Sequence, residues 1–252
     1  MSLREVASLP LGTTFGEFEL RAFELASGGV YLALVRGDVG EGRSVLTRLH
    51  SECLTGDALG SLRCDCGTQL REAAREIAAE GRGVLVYATD HEGRGIGLVN
   101  KLRAYMLQEN GADTVDANCR LGFPPDARTY DAAARCLGLL GVRSVRLLTN
   151  NPSKVEALIR AGIDVERTVP LQTSPHVRNI EYLHAKEARL GHVAPAGVAL
   201  DGNTIGEATN VGPLLGRAAA PAWRPYVVLK YAQTVDGRIA TRRRAREEAQ
   251  RW

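Results

Sequence analysis

Apolar positions recur along the first two thirds of the chain in two alternating periods. Val30-Tyr31-Leu32-Ala33-Leu34-Val35 is a continuous apolar run followed by the turn-forming Gly37-Asp38-Val39-Gly40, and predicts a strand. Leu70, Ala73, Ala74, Ile77 and Ala78 share one helical face, and Gly81 stands where a helix end favours a left-handed residue. Residues 84–88 predict the next buried strand. Leu98, Leu102, Tyr105 and Met106 predict a second helix that closes near Gly111. Tyr130, Ala133, Ala134 and Leu137 predict a third, leading through Gly141 to a strand at 145–149. Asn151-Pro152-Ser153 opens a fourth, with Asn as cap and Pro in the first turn, and Gly162 ends it. This alternation predicts an α/β fold over residues 1–190, a layered mixed sheet flanked by helices.

The pattern decays after residue 190. Residues 191–222 are rich in Gly, Ala and Pro without periodicity and predict a linker. Tyr226-Val227-Val228-Leu229-Lys230-Tyr231 predicts one more strand, followed by an Asp236-Gly237 turn signal. A single strand cannot bury its own faces, so residues 223–252 predict an extension that packs elsewhere or stays unfolded.

Composition narrows the function classes. With 44% hydrophobic and 24% charged residues the chain reads as globular, neither disordered nor fibrous. No stretch approaches the ~18 consecutive apolar residues that would span a bilayer, so no membrane role is expected. Met1-Ser2-Leu3-Arg4-Glu5-Val6 has no apolar run, so the expected location is cytoplasmic. The net charge is +3, and the five arginines and two glutamates between Arg242 and Trp252 account for all of it. The basic surplus is therefore a tail and not a face of the fold. With aromatics at only 5%, nucleic-acid binding is not expected.

The cysteines point to chemistry. Cys53, Cys64 and Cys66 fall in a C-x10-C-x-C pattern. Three thiolates are one short of a closed structural zinc site and match a catalytic one, in which a fourth position stays open to water. The alternative is three small buried side chains, the usual fate of free cysteine. Gly56, Gly60 and Gly67, set among polar residues, favour a metal-binding loop. Three anionic sulfurs call for a nearby cation, and Arg63 is a candidate. Cys119 and Cys136 have no partner spacing and predict structural roles. His50-Ser51-Glu52 matches half of a zinc-deaminase signature, but the P-C-x-x-C half is absent.

Arg48-Leu49-His50-Ser51-Glu52-Cys53-Leu54-Thr55-Gly56-Asp57, with Ser61-Leu62-Arg63-Cys64-Asp65-Cys66-Gly67, resembles the zinc segment of GTP cyclohydrolase II. His91-Glu92-Gly93-Arg94-Gly95-Ile96-Gly97-Leu98, Asp113-Thr114-Val115-Asp116-Ala117-Asn118 and Leu147-Leu148-Thr149-Asn150-Asn151-Pro152-Ser153-Lys154 follow in that family's order. The resemblance covers roughly residues 8–190. It implies hydrolysis of GTP with loss of C8 as formate and of pyrophosphate, leaving 2,5-diamino-6-ribosylamino-4(3H)-pyrimidinone 5′-phosphate, the first step of riboflavin biosynthesis.

The resemblance also implies roles for individual residues. Cys53, Cys64 and Cys66 would hold one zinc ion per chain, whose bound water attacks C8. Asp126 and Arg128 would serve the phosphate half, with Arg128 as nucleophile and Asp126 as its base, although a guanidinium protonated at neutral pH suits charge stabilisation equally well. Tyr105 would sit near the reacting base. Arg48, Leu49, His50, Ser51, Glu52, Gln69, Glu92, Gly93, Arg94, Thr114, Thr149 and Lys154 would contact GTP. Among these, Glu92 suits the two donors on guanine's edge, and Arg48, Arg94 and Lys154 suit the triphosphate. A magnesium ion on the phosphates and a homodimer are further family expectations.

Residues 224–240 resemble the opening of the riboflavin-pathway pyrimidine reductase domain, with too little chain after them for that activity. Two other readings are distinguishable. A family variant could stop at the formylated pyrimidine, against which Tyr105 counts. A non-catalytic GTP-binding protein would be expected to lack one of the cysteines, Asp126 or Arg128, all of which are present.

Overall fold

The computed structural model describes residues 2–110 and 114–171, together with Thr173, Asn179, Tyr182, Leu183 and Arg189. The expected linker at 191–222, the strand at 226–231 and Gly111 lie outside the described residues.

A seven-stranded mixed sheet runs in the order β1-β2-β3-β5-β4-β6-β7. β1 (Leu3–Thr13), β2 (Gly16–Leu25) and β3 (Val30–Arg36) form an antiparallel meander, and β3 pairs antiparallel with β5 (Gly83–Ala88). The other half is parallel: β4 (Val45–Ser51) pairs with β5 and with β6 (Ser144–Leu148), and β6 pairs with β7 (Asp164–Val169). The layered mixed sheet expected from the pattern is therefore present.

The sheet separates two cores. On one face Phe23, Tyr31, Val45, Val84, Val86, Val145 and Leu147 pack with α5 (Asp131–Leu139) and α6 (Pro152–Arg160). On the other, Phe18, Leu46, Leu85 and Leu148 pack against Ala73, Ala74 and Ile77 of α2 (Cys66–Glu80). Because both faces are covered, β4 is buried along nearly its whole length, the expected state of a central parallel strand. α2 ends at Gly81 with φ +76°, and Asn151 caps α6 by accepting a hydrogen bond from the Ser153 amide at 2.9 Å.

Three sequence expectations need correction. α3 (Leu98–Glu109) forms, but Leu102 is 46% and Met106 68% exposed, while Lys101 and Ala104 are buried. Half of the apolar stripe therefore faces out, because the inner face, with Lys101 and Tyr105, serves a polar cleft. β1, β2, β4 and β7 lie outside the strands the sequence predicts: β1 and β7 are exposed edge strands without alternating hydrophobicity, and the apolar run of the buried β4 is broken by Thr47, Arg48 and His50. Cys136 is fully buried in the first core, but Cys119, on α4 (Thr114–Arg120), is exposed and holds no core together.

Candidate active site

The parallel strands β4 and β5 and the loop after β6 end on the same side, where ligands bind in open α/β sheets. A cleft opens there with about 980 Å³ of atom-free space, its open mouth included. Its lining joins the cysteine segment, the turn after β5, α3 and the start of α6.

Cys53 lies two residues after β4, Cys64 comes from the loop before α2, and Cys66 opens that helix. Their three sulfurs lie within 4.8 Å of one another, and Cys53 and Cys64 are 3.6 Å apart. Sulfurs bound tetrahedrally at about 2.3 Å from zinc stand about 3.8 Å apart, so the trio fits that ion. Glycine permits the convergence. A Cβ on Gly56 would come within 2.8 Å of Cys64 Sγ and 3.2 Å of Cys53 Sγ. One on Gly67 would meet the Gly56 carbonyl oxygen at 2.1 Å.

Asp57 holds the turn that presents Cys53. Its carboxylate accepts hydrogen bonds from the Cys53 amide at 3.0 Å, from Tyr87 Oη at 2.9 Å and from His50 Nε2 at 3.1 Å. Burial pulls the His50 pKa down despite this partner, so the imidazole is neutral. His50 points to Asp57 and is not part of the sulfur cluster, which counts against the deaminase arrangement.

Lys101 went unnoticed in the sequence. Its ammonium lies 3.1 Å from Cys53 Sγ and 2.6 Å from Glu92 Oε1, in a site where it is 7% exposed. Burial disfavours the charge, but Glu92 and Cys53 more than compensate and raise its pKa. The Cys53 thiol is driven far down by hydrogen bonds from Cys64 and Cys66, with Lys101 assisting. Arg63, the cation expected at this point, instead stacks over the Tyr105 ring at 5.0 Å and pairs with Glu109. Tyr105 Oη is 3.1 Å from Thr55 Oγ1, and burial raises its pKa.

The remaining expected residues separate by position. Arg48 is buried. It donates to the Leu148 carbonyl at 2.9 Å and to Gln69 Oε1 at 2.6 Å, while its Nε has no hydrogen-bond partner. A buried donor without a partner in a cleft is an open position for a ligand acceptor. Lys154 Nζ donates to the Leu49 carbonyl at 2.7 Å. Glu52, Gly93 and Arg94 line the cleft, with Arg94 in a left-handed conformation at φ +65° that side chains seldom adopt. Burial raises the Glu52 pKa. Glu92 Oε2 accepts from the Leu54 amide at 2.7 Å, which fixes the carboxylate beside the metal segment.

Two expected contacts have side chains placed elsewhere, and a third is not described. The Leu49 side chain is in the core, Thr149 Oγ1 caps the Asn151 amide at 3.0 Å, and neither lines the cleft. Thr114 opens α4, and its side chain is outside the described residues.

Arg128 reaches the cleft from the loop before α5. It makes a two-point ion pair with Asp126, with Nε to Oδ1 at 2.8 Å. Burial disfavours its cation, but the Asp126 carboxylate outweighs this and holds its pKa above the usual arginine value. Its Nη1 also donates to Ser51 Oγ at 3.3 Å. His91, buried at 3% exposure, lies behind Ser51 with Nδ1 3.0 Å from Ser51 Oγ. Tyr182 completes the wall, its hydroxyl 3.9 Å from Cys66 Sγ.

The profile of the GTP cyclohydrolase II family matches residues 4–170. The GTP cyclohydrolase-2 of Azotobacter vinelandii is 56% identical over 194 residues, 77% of this chain and 93% of that protein. The GTP cyclohydrolase-2 of Hahella chejuensis is 54% identical with the same coverage of both chains. The riboflavin biosynthesis protein RibBA of Salinispora arenicola is 52% identical over 212 residues, 80% of this chain, which spans only 50% of that relative.

Proposed function

Because the chain belongs to the GTP cyclohydrolase II family, we propose that it hydrolyses GTP to formate, pyrophosphate and 2,5-diamino-6-ribosylamino-4(3H)-pyrimidinone 5′-phosphate, the opening reaction of riboflavin biosynthesis. The observation that carries the reading is the convergence of three thiols, within 4.8 Å, in a cleft also lined by Arg48, Arg94, Arg128 and Lys154. Sulfur donors at one end and cations along the wall suit a substrate with a purine and a triphosphate.

Cys53, Cys64 and Cys66 would hold a zinc ion, which when bound supplies Lewis acidity and lowers the pKa of a water to near neutrality. The chain's own groups do the rest. Lys101 offsets the charge of the three thiolates at Cys53 and locks Glu92 in place. Glu92 can accept the two donors of guanine's edge, its carboxylate already oriented by the Leu54 amide and Lys101. Tyr105, tied to Thr55, is a hydroxyl donor beside the sulfur cluster that stays protonated at neutral pH.

Along the wall Arg48, Arg94 and Lys154 neutralise phosphate oxygens, and magnesium on the triphosphate would share that task. Arg128 is held as a cation by Asp126, so a nucleophilic guanidine is disfavoured. Its role in this reading is to stabilise the charge that develops on departing pyrophosphate. The same reading includes a homodimer. Among the described residues no helix is long and apolar enough to cross a membrane.

The test is to incubate the purified protein with GTP, magnesium and zinc and to quantify formate, pyrophosphate and the diaminopyrimidine. All three in equal amounts are expected. A formylated pyrimidine as the end product would favour the truncated reaction, and GTP binding without turnover would refute the enzymatic reading.

A further inference from the structure

His91 has no role in the chemistry described above, yet it is among the most enclosed polar side chains of the cleft. Its ring packs edge-on against Tyr31 and Tyr130, at centroid distances of 6.2 and 5.3 Å. Both ring nitrogens are engaged. Nε2 is 2.8 Å from the Thr129 carbonyl oxygen, and Nδ1 is 3.0 Å from Ser51 Oγ.

Partner chemistry fixes the protons on the His91 ring and between it and Ser51. A carbonyl oxygen only accepts, so Nε2 carries the hydrogen. Burial pulls the His91 pKa down to about 4, aided by Arg128 and Lys154 and opposed by the Asp90 carboxylate 3.6 Å from Nε2, so the ring is neutral. Nδ1 is then a bare acceptor, and the one proton of the Ser51 hydroxyl is committed to it. Ser51 Oγ faces its other neighbours with lone pairs. It accepts from Arg128 Nη1 at 3.3 Å, and the Tyr130 hydroxyl, which itself receives a hydrogen bond from Asn151 Nδ2 at 3.4 Å, lies against it.

The loop that carries Asp126 and Arg128 has no regular secondary structure between Gly122 and Tyr130. It is fastened to the turn after β5 at three backbone points, one of them the Pro125 carbonyl, which accepts from Arg94 Nη1 at 3.5 Å. The Ala127 amide donates to the Arg94 carbonyl at 3.0 Å, and the Thr129 carbonyl accepts from His91. The imidazole thus ties the backbone beside Arg128 on one side and, through Ser51, the guanidinium itself on the other.

We infer that His91 is a positioning residue for the phosphate half of the reaction: it clamps the Arg128 loop through Thr129 and turns Ser51 into a fixed acceptor that orients the Arg128 guanidinium. This rests on the reading of the protein as a GTP cyclohydrolase II. It assigns Ser51 a proton direction as well as a location, since a hydroxyl that gives its proton to His91 orients a cation and does not donate to phosphate.

Glutamine offers the same pairing as this tautomer, a donor at one end and an acceptor at the other, whereas leucine fills the space without either. The rate of pyrophosphate release should fall on the order of 10- to 100-fold in H91L, the usual effect of losing buried hydrogen bonds to a charged group. It should recover in H91Q to within about threefold of wild type. S51A should lose a comparable factor, and H91L/S51A should be no slower than the worse single variant, because the two residues act as one unit. H91L at the wild-type rate, H91Q no better than H91L, or losses that multiply in the double variant would each overturn the inference. If H91L does not fold, S51A decides alone, and wild-type pyrophosphate release in S51A overturns it. Independently of turnover, nitrogen-15 spectra should show His91 as the neutral Nε2–H tautomer at pH 6, and an Arg128 Nε–H signal that broadens in S51A. A charged imidazole or an unchanged Arg128 signal refutes the clamp even if GTP is not the substrate, while an inactive wild type with both signatures present refutes only the functional reading.

Discussion

Gly56→Ala separates metal binding from folding. The Gly56 backbone is accessible to any residue, but its new methyl would lie 2.8 Å from Cys64 Sγ, 3.2 Å from Cys53 Sγ and 3.3 Å from Cys66 Cβ. Non-bonded heavy atoms settle at about 3.5–4.0 Å, so the Cys64 sulfur must retreat by roughly 0.7–1.2 Å and the Cys53 sulfur by several tenths of an ångström. Each sulfur ends a short side chain that can swing aside, so the fold should lose only about 1 kcal/mol. Metal–ligand distances tolerate only about ±0.2 Å, and rotating one sulfur away breaks up the trio. Zinc affinity should therefore fall on the order of 100-fold or more, well beyond the fold's loss. The assay is zinc competition against a chromophoric chelator at fixed pH, run beside thermal unfolding of the metal-free protein. G56A with a zinc Kd within about threefold of wild type would refute the reasoning that this glycine shapes a metal site.

Other expectations follow from the same contacts. R128A should slow pyrophosphate release by about 10²–10³-fold, the usual cost of removing a charge stabiliser; R128K should recover part of it, and an unchanged rate in R128A would remove Arg128 from the phosphate chemistry. K101M should destabilise the fold by about 3 kcal/mol because it leaves Glu92 buried without its cation; urea titration should show K101M/E92Q as the more stable of the two. Burial lowers the folded-state pKa of His91 to about 4, and that of His50 in the same direction. As pH falls from about 6.5 to 4 the unfolded chain takes up these protons first, so stability present above about pH 6.5 is lost across that window, by about 3 kcal/mol for His91. Urea midpoints at pH 7, 6 and 5 should show a shallower decline in H91L, and an equal slope would contradict the shift.

The sequence made legible the elements whose own residues carry a clear apolar period, but not β2 or β4. β3, β5 and the helices α2, α5 and α6 carry unbroken apolar runs or one apolar face, with glycine or asparagine at their ends. β1 did not announce itself, because an exposed edge strand such as Leu3–Thr13 is held by pairing with β2 and not by burial of alternate residues. α3 misled in part, since Leu102 and Met106 of its apolar stripe face out while Lys101 and Tyr105 serve the cleft. The cysteine trio was readable from spacing and glycines. Lys101 and His91 were not, because their partners, Cys53 and Ser51, lie 48 and 40 residues away in the chain. Nothing local distinguishes a lysine on a helix from a solvated one until the fold sets it against a thiol.

The most direct measurement is formate release from GTP while metal-free protein is titrated with zinc. Activity should rise linearly and break at one zinc per chain, and the C64S variant should stay silent throughout. Formate release by the chelator-treated protein before any zinc is added, or by C64S at the wild-type rate, would contradict a reaction that depends on three converging sulfurs.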